Sequence, residues 1–396
     1  MRRSALMWEH HAWESPIRVG GRAFAERFLA AGWSVAWLNG PLAPWNLLGG
    51  CDEVKRRRDS WKRGGYSPPA GSRRLFCYAP LAPFPYRPYP LLDRAWFHRH
   101  SLDLTLPPMW RRLAREGFGE VDLLWLATGS PFIPLLKRAR FRRSLYRLSD
   151  ETASFPETPR TYSALEEEVL KSVDRVIATA GSLAERARRF NPRVLLLPNG
   201  VDFGRFARAR ERASGEYREA RRPRIIYVGA IDSWLDTAAV TSLARALPEA
   251  ELRLSGPNRI GPGWAAGFSN ITLSGPVPPE EVPGLLAGSD VGIIPFRDTP
   301  LTRAIHPVKL YEYLAAGLPV VATDLEEIRR IASPALLARH EAEWVDAVRS
   351  AISGGKRPEY TAFAARHDWS RRFEDLMAFL EEPAMAGSRP VMEGAR

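Results

Sequence analysis

Residues 306 to 323 read His306-Pro307-Val308-Lys309-Leu310-Tyr311-Glu312-Tyr313-Leu314-Ala315-Ala316-Gly317-Leu318-Pro319-Val320-Val321-Ala322-Thr323. Pro307 suits the first turn of a helix, where its missing N–H would go unpaired in any case. Gly317 suits the left-handed residue that ends a helix, and Pro319 precedes a β-branched apolar run. The stretch therefore predicts loop, short helix, tight turn and buried strand, one helix-to-strand step of a parallel α/β sheet.

Working outward, similar short apolar runs recur at Ile225 to Gly229, Glu251 to Ser255, Ile271 to Leu273, Val291 to Pro295 and Leu336 to Ala338. The first half has its own series at Ser34 to Leu38, Leu75 to Tyr78, Asp122 to Ala127, Ser144 to Leu148, Arg175 to Thr179 and Val194 to Leu197. Stretches of helical period lie between them, at Gly21 to Ala31, Tyr162 to Ser172 and Ser182 to Arg189. Strands alternating with helices predict a doubly wound sheet, and the alternation occurs twice. Two domains also suit 396 residues, since a domain usually has roughly 100 to 200.

The expected boundaries are 1–203 for the first domain, a charged linker or exposed helix at 204–222, and 223–366 for the second domain. A terminal helix at 367–382 crosses back to the first domain, and a disordered tail fills 383–396. Asp52 to Ser72 and Phe84 to Pro90 lack a clear period and are expected to be long loops. Ligands of such sheets bind at the carboxyl ends of the strands, so the expected site is a central cleft that the two domains face.

Composition narrows the function. No apolar run approaches the ~20 residues of a spanning helix, and the opening MRRSALMWEHH is not read as a signal peptide. Cys51 and Cys77 are the only cysteines and have no metal-ligand spacing, so a reducing cytoplasm is expected. The formal charge is +12, concentrated at Lys55 to Arg58 with Lys62 and Arg63, and at Lys137 to Arg143. Such an excess suits a polyanionic neighbour. Trp45-Asn46-Leu47-Leu48 beside the first cluster supplies an apolar wedge, which points to peripheral contact with an anionic membrane, the alternative being ordinary solvated arginine faces. No zinc-finger, helix-turn-helix or RNA-recognition signature is present, so nucleic acid is not an expected partner.

Lys309 and Glu312 are three apart and share a helix face. At the start of that helix, free amides and the helix dipole favour a phosphate, to which Lys309 or His306 adds charge. Glu312, one turn further, can accept hydrogen bonds from the neighbouring hydroxyls of a ribose. Taken alone, the two residues also fit a plain helical ion pair.

The order of the whole segment closely resembles the donor-binding element of bacterial retaining glycosyltransferases of the GT-B fold, group 1 or family 4-like. There, a glutamate in the context EYLAAGxPVVAT binds the donor ribose; the match here is Glu312. Leu197-Pro198-Asn199-Gly200-Val201-Asp202, followed by Phe206, resembles the junction that closes the family's first domain, so Asn199 is placed in the site or in a hinge. Tyr146 to Glu151, with Glu166 and Ser172 to Ile177, resembles relatives that build teichuronic acid and other cell-surface polysaccharides. Asp150 there becomes a candidate catalytic or acceptor-orienting carboxylate, or a turn cap, and Glu166 a structural acceptor.

Gly20-Gly21 and the turn at Gly229 resemble the glycine loops that approach phosphate or sugar in this family. His10 and His11 precede the first of these, as loop residues or acceptor contacts. Ser255-Gly256-Pro257 and Pro295-Phe296 are further strand-end loops that can hold the base. Two departures matter. Many relatives have a second glutamate eight positions before the first, where this chain has Ala304, and no Arg and Lys pair follows Gly229. His306 and Arg303 are the candidates for the sugar contacts, His306 as a catalytic group, while Lys309 and the helix amides, with Arg303, take the phosphate charge.

The resemblance implies transfer of a sugar from a nucleotide diphosphate donor to a saccharide or lipid-linked cell-envelope acceptor. Retention is implied, with no metal and no other cofactor, and with domain closure to exclude water. The chain has no Asp-x-Asp motif of the metal-dependent kind. A nucleotide-sugar epimerase on the same architecture and a non-catalytic nucleotide-sugar-binding subunit are the alternatives.

Overall fold

The computed structural model describes residues 3–18, 20–68, 74–86, 88–89, 91–127, 132–155, 158–213 and 222–383. The chain forms two compact units, Met1–Leu197 with Phe373–Arg396, and Pro198–Arg372.

The first unit is a seven-stranded parallel sheet. Its strands are β1 (Ser4–Glu9), β2 (Ser34–Asn39), β3 (Leu75–Tyr78), β4 (Glu120–Ala127), β5 (Arg140–Leu148), β6 (Arg175–Ala178) and β7 (Val194–Leu196), in the order β3-β2-β1-β4-β5-β6-β7. Helices covering both faces leave central strands such as β1 and β2 buried from the second residue onward, which is why they read as continuous apolar runs. Phe24 and Phe28 of the helix Gly20–Ala30 pack on Trp125 of β4, and Phe28 also meets Phe373. The final helix, Trp369–Glu381, thus returns the chain to this unit. Its carboxyl end is capped by buried Arg175, whose Nε donates to the Phe379 carbonyl at 2.8 Å.

The second unit holds β8 (Arg224–Val228), β9 (Glu251–Ser255), β10 (Ile271–Leu273), β11 (Val291–Ile294), β12 (Val320–Thr323) and β13 (Leu336–Ala338). They form a parallel sheet in the order β10-β9-β8-β11-β12-β13. The helix Val308–Ala315 lies directly on it. A Cβ on Gly292 of β11 would stand 2.3 Å from the Tyr313 ring, so only glycine admits this approach. The Tyr313 hydroxyl then accepts from the Val228 amide at 2.7 Å, joining the helix to the end of β8. Gly317 follows the helix at φ 79°, the left-handed turn expected of it.

One expectation changes, and of the two readings of 204–222 the helix is the one observed over its first part. Asp52 to Ser72 contains a helix, Asp52–Lys62, rather than a loop throughout. Among its described side chains only Ser60 is fully buried, so no apolar period marks it. Acids in its first turn, Lys62 in its last and the Glu53–Arg57 pair at 3.2 Å suit a solvated helix instead. In the 204–222 segment, Phe203–Ala213 is a helix of the second unit, with Phe206 in that unit's core and Arg210 donating to the Ala315 carbonyl at 3.2 Å. Residues 214–221, and 384–396 of the tail, lie outside the described residues.

Candidate active site

In the second unit the carboxyl ends of β8 and β9 turn at glycines that nest against each other. The Gly229 amide donates to the Ser255 carbonyl at 2.9 Å, and a Cβ on Gly256 would lie 1.9 Å from the Gly229 carbonyl oxygen. Gly229 itself has φ 146°, and a Cβ there would stand 3.0 Å from Lys309 Nζ. The absence of side chains at these turns is therefore what lets the lysine reach the end of β8. The Ser255 hydroxyl between the turns is buried with no partner among the described residues.

Lys309 Nζ lies 4.9 Å from the ring centres of both Tyr227 and Phe296. The faces of these rings hold the ammonium by cation–π attraction. Burial pushes the ammonium down to about 8, and Glu312 opposes the shift. Burial likewise raises the Glu312 carboxyl, against the opposing effects of Lys309 and Arg205. Both side chains are only partly buried. Among the described residues, no hydrogen bond or ion pair within 4 Å reaches either the Lys309 ammonium or the Glu312 carboxylate. The plain ion pair that their spacing also allowed is thus not formed. An unpaired cation and an unpaired carboxylate thus share the helix that lies against the end of β8.

His306 does not fit the catalytic part expected of it. Its Nδ1 lies 2.9 Å from Glu327 Oε1 and its Nε2 2.5 Å from the Tyr311 hydroxyl, with the side chain only 2% exposed. Burial lowers its pKa, and the bond to Glu327 opposes that shift. With both nitrogens engaged inside the unit, the ring has no free atom for substrate. Its carbonyl accepts from Asn199 Nδ2 at 2.8 Å, so His306 and Asn199 together hold the loop that leads into the helix Val308–Ala315. The turn at Gly200 is equally tight, with a Cβ there meeting the His367 carbonyl at 2.9 Å. Arg303 is exposed and fastened twice to Asp298, by Nε at 2.6 Å and Nη2 at 3.1 Å, so it has to leave that pair to meet a phosphate. Ala304, where many relatives have a glutamate, is buried.

In the first unit, Gly20 and Gly21 open the helix Gly20–Ala30 and are buried. A Cβ on Gly21 would lie 2.1 Å from Glu9 Oε1. Glu9 ends β1 almost wholly buried, accepts from Trp125 Nε1 at 2.7 Å, and is raised to about 7 by burial, with Arg147 and Trp125 opposing. Sequence reading passed over Glu9. The available signal was a carboxylate closing the apolar run Ala5 to Trp8.

Asp150 follows β5 by two residues, is partly buried, and accepts from Ser149 Oγ at 2.8 Å. His10 is exposed as a residue, yet crowding around its ring lowers it to about 4 by desolvation, with His11 and Arg57 adding to the shift and Glu53 and Asp150 opposing it. Asp150 also acts electrostatically on buried Arg147. The carboxyl ends of β1 and β5 therefore share one set of interacting charges. Glu166 is buried and accepts from Tyr162 at 3.1 Å and from Arg186 at 2.7 Å, consistent with a structural role.

A glutamate raised to about 7 favours the folded state most while protonated, so its contribution fades as pH rises from about 4.5 through 7. The Glu9→Gln variant, which keeps the acceptor for Trp125, is expected to flatten the decline in melting temperature between pH 5 and 8. Calorimetry across that range tests this, and parallel curves for the two proteins would refute it.

Two doubly wound units, each a parallel sheet wrapped by helices, are the architecture of the GT-B fold. Residues 222–353 match the family model described as glycosyl transferases group 1. TuaH of Bacillus subtilis (strain 168), named as a teichuronic acid biosynthesis glycosyltransferase, is 25% identical over 311 residues, covering 72% of this chain and 77% of that one. Sucrose-phosphate synthase from Thermosynechococcus elongatus superposes with a TM-score of 0.65 at 17% identity, covering 95% of this chain and 98% of the other. HepE of Anabaena, solved with UDP and glucose, gives 0.61 at 13% identity, covering 96% and 99%. The chain thus has the GT-B fold, carries a match to the group 1 glycosyltransferase model in its second unit, and is similar in sequence to a teichuronic acid glycosyltransferase.

Proposed function

We propose that this enzyme moves a sugar from a nucleotide diphosphate donor to a saccharide or lipid-linked precursor of a cell-envelope polysaccharide, with retention and without a metal. The observation that carries the reading is the open Glu312 carboxylate next to half-buried Lys309 at the glycine turn after β8. Glu312 takes the ribose hydroxyls. Lys309 and the first amides of its helix, which no side chain caps, take the diphosphate. The base lies against the loops at Gly256 and Phe296. In the first unit Asp150 orients the acceptor hydroxyl, and the amides at Gly20 and Gly21 approach the acceptor or phosphate.

The bond from sugar to diphosphate breaks, the acceptor oxygen takes its place, and the hydroxyl proton leaves with the diphosphate. Support for a polysaccharide acceptor comes from the teichuronic acid relative, and for a nucleotide sugar from the neighbour solved with UDP and glucose. Action on the cytoplasmic side, at the inner face of a membrane, belongs to the same proposal.

The test is thermal denaturation with UDP, GDP, TDP, CMP and NAD. A ligand at 100 times its dissociation constant stabilises by about 2.7 kcal/mol, so one nucleoside diphosphate should raise the melting temperature. A shift with none of the five would end the donor-site reading. Transfer with the matching nucleotide sugar should persist in EDTA, whereas release of an altered nucleotide sugar without acceptor would assign an epimerase.

Lys309 adds a pH signature. Below about 8 it carries its charge in the free enzyme and above about 8 it loses it. Nucleoside diphosphate affinity is therefore expected to fall several-fold from pH 7 to pH 9. Titration calorimetry on Lys309→Met should show weaker binding with a flatter profile; an unchanged slope would assign the effect to another group.

A further inference from the structure

The first unit has an apolar surface that its core does not use, beyond the carboxyl ends of β2 and β3. In the turn Pro44–Leu47, Trp45 is 46% exposed and meets Tyr89, 54% exposed, edge to face with ring centres 6.1 Å apart. Leu48, three residues after Trp45, and Leu91, two after Tyr89, are 95% and 75% exposed. The two loops come from different parts of the chain, and the Trp45–Tyr89 contact brings them together.

The helix Asp52–Lys62 is fastened near its middle to the Trp45 loop and near its end to the backbone at Leu106. Arg58 Nη1 donates to the Leu47 carbonyl at 3.3 Å, and the Trp61 indole donates to the Leu106 carbonyl. Residues 52 to 63 hold six cations against three acids. The acids Asp52 and Glu53 are already matched by Lys55 and Arg57, while Lys62 and Arg63 are exposed. Protruding apolar side chains thus stand beside a net positive helix.

Two kinds of surface could cover such side chains. A protein partner needs pockets shaped to each of them, whereas a bilayer accepts isolated protruding leucines and aromatic rings without any preformed shape. Tryptophan and tyrosine suit the headgroup layer, with an apolar ring and a polar edge, and neighbouring cations suit anionic headgroups.

We propose that this face docks the enzyme on an anionic bilayer, with Trp45, Leu48 and Leu91 entering the headgroup layer and the helix Asp52–Lys62 meeting lipid phosphates. The inference rests on the proposed function only for its purpose, that of bringing the first unit to a lipid-linked acceptor.

The experiment is co-sedimentation of the full chain with vesicles of phosphatidylcholine alone, or with one third phosphatidylglycerol. Expected is at least tenfold tighter binding to the anionic vesicles, weakened by salt. Leu48→Ser with Leu91→Ser, and separately Lys62→Glu with Arg63→Glu, should each reduce binding about tenfold. These residues are exposed, so circular dichroism and the nucleotide-induced thermal shift should stay as in wild type. Equal binding to the two vesicle types, no binding to either, or binding of the variants as wild type would overturn the proposal. Vesicle binding without any nucleotide shift would leave this surface standing and remove the donor reading; the reverse result would do the opposite.

Discussion

Replacing Glu312 by alanine is expected to weaken nucleoside diphosphate binding by at least about 100-fold while leaving the free protein as stable as wild type or more so. A hydrogen bond to a charged group contributes about 1.5–3 kcal/mol, and two ribose hydroxyls on one carboxylate correspond to at least a hundredfold in dissociation constant. The stability half of the expectation comes from the free structure. Glu312 is held in a site that raises its pKa by burial, and among the described residues it has no hydrogen-bond partner to lose. Removing it relieves a desolvated charge. A binding residue and a folding residue are thereby separated in one pair of melting curves, with and without the nucleotide. If the variant loses its melting temperature in the absence of nucleotide, Glu312 is structural; if it keeps the ligand-induced shift, the ribose contact lies elsewhere.

The second large effect is expected at Gly256. An alanine Cβ there would fall 1.9 Å from the Gly229 oxygen and 2.5 Å from its carbonyl carbon. Both are backbone atoms, so no side-chain rotation can clear the space. The turns after β8 and β9 must part by more than 1 Å to reach an ordinary contact of about 3.5 Å, which strains the bond from the Gly229 amide to the Ser255 carbonyl. Overpacking of this kind costs about 3 kcal/mol, or roughly 6–12 °C in melting temperature for a unit of this size. Nucleotide binding should fall with it, because Gly229 is what Lys309 packs against. Gly275→Ala is the control. Its φ of 68° is also positive, but nothing lies within 4 Å of the added carbon, so only the backbone term of about 1 kcal/mol remains. Calorimetry of the two variants side by side decides the matter, and equal melting points would mean that the turns are not nested.

Much of the fold was legible because strands of a parallel sheet read as short apolar runs, at the half-exposed edges β10 and β13 as well as in the buried centre. β9, β10, β12 and β13 begin and end where their apolar runs do, and β3 does the same in the first unit. The helix Asp52–Lys62 was not legible, since a helix whose stability comes from charges and end effects has no apolar period to show. His306 illustrates a different gap. Its type and place suggested a group facing substrate, but a histidine can serve a site or a core. The choice fell to Glu327 and Tyr311, respectively twenty-one and five residues away in the chain. Glu9 was missed for the converse reason. Its burial and raised pKa exist only because Trp125 and the Gly20–Ala30 helix close over it, more than a hundred residues and about ten residues downstream.

By itself, then, the chain's order of residues determined two doubly wound sheets, the junction near Asn199 and the helix that carries Lys309 and Glu312, because local backbone preference and apolar period act over a few residues. The tertiary structure alone decided which of the polar residues remain open to a ligand and which are satisfied from within, because that depends on partners brought from distant segments and on the water that packing removes.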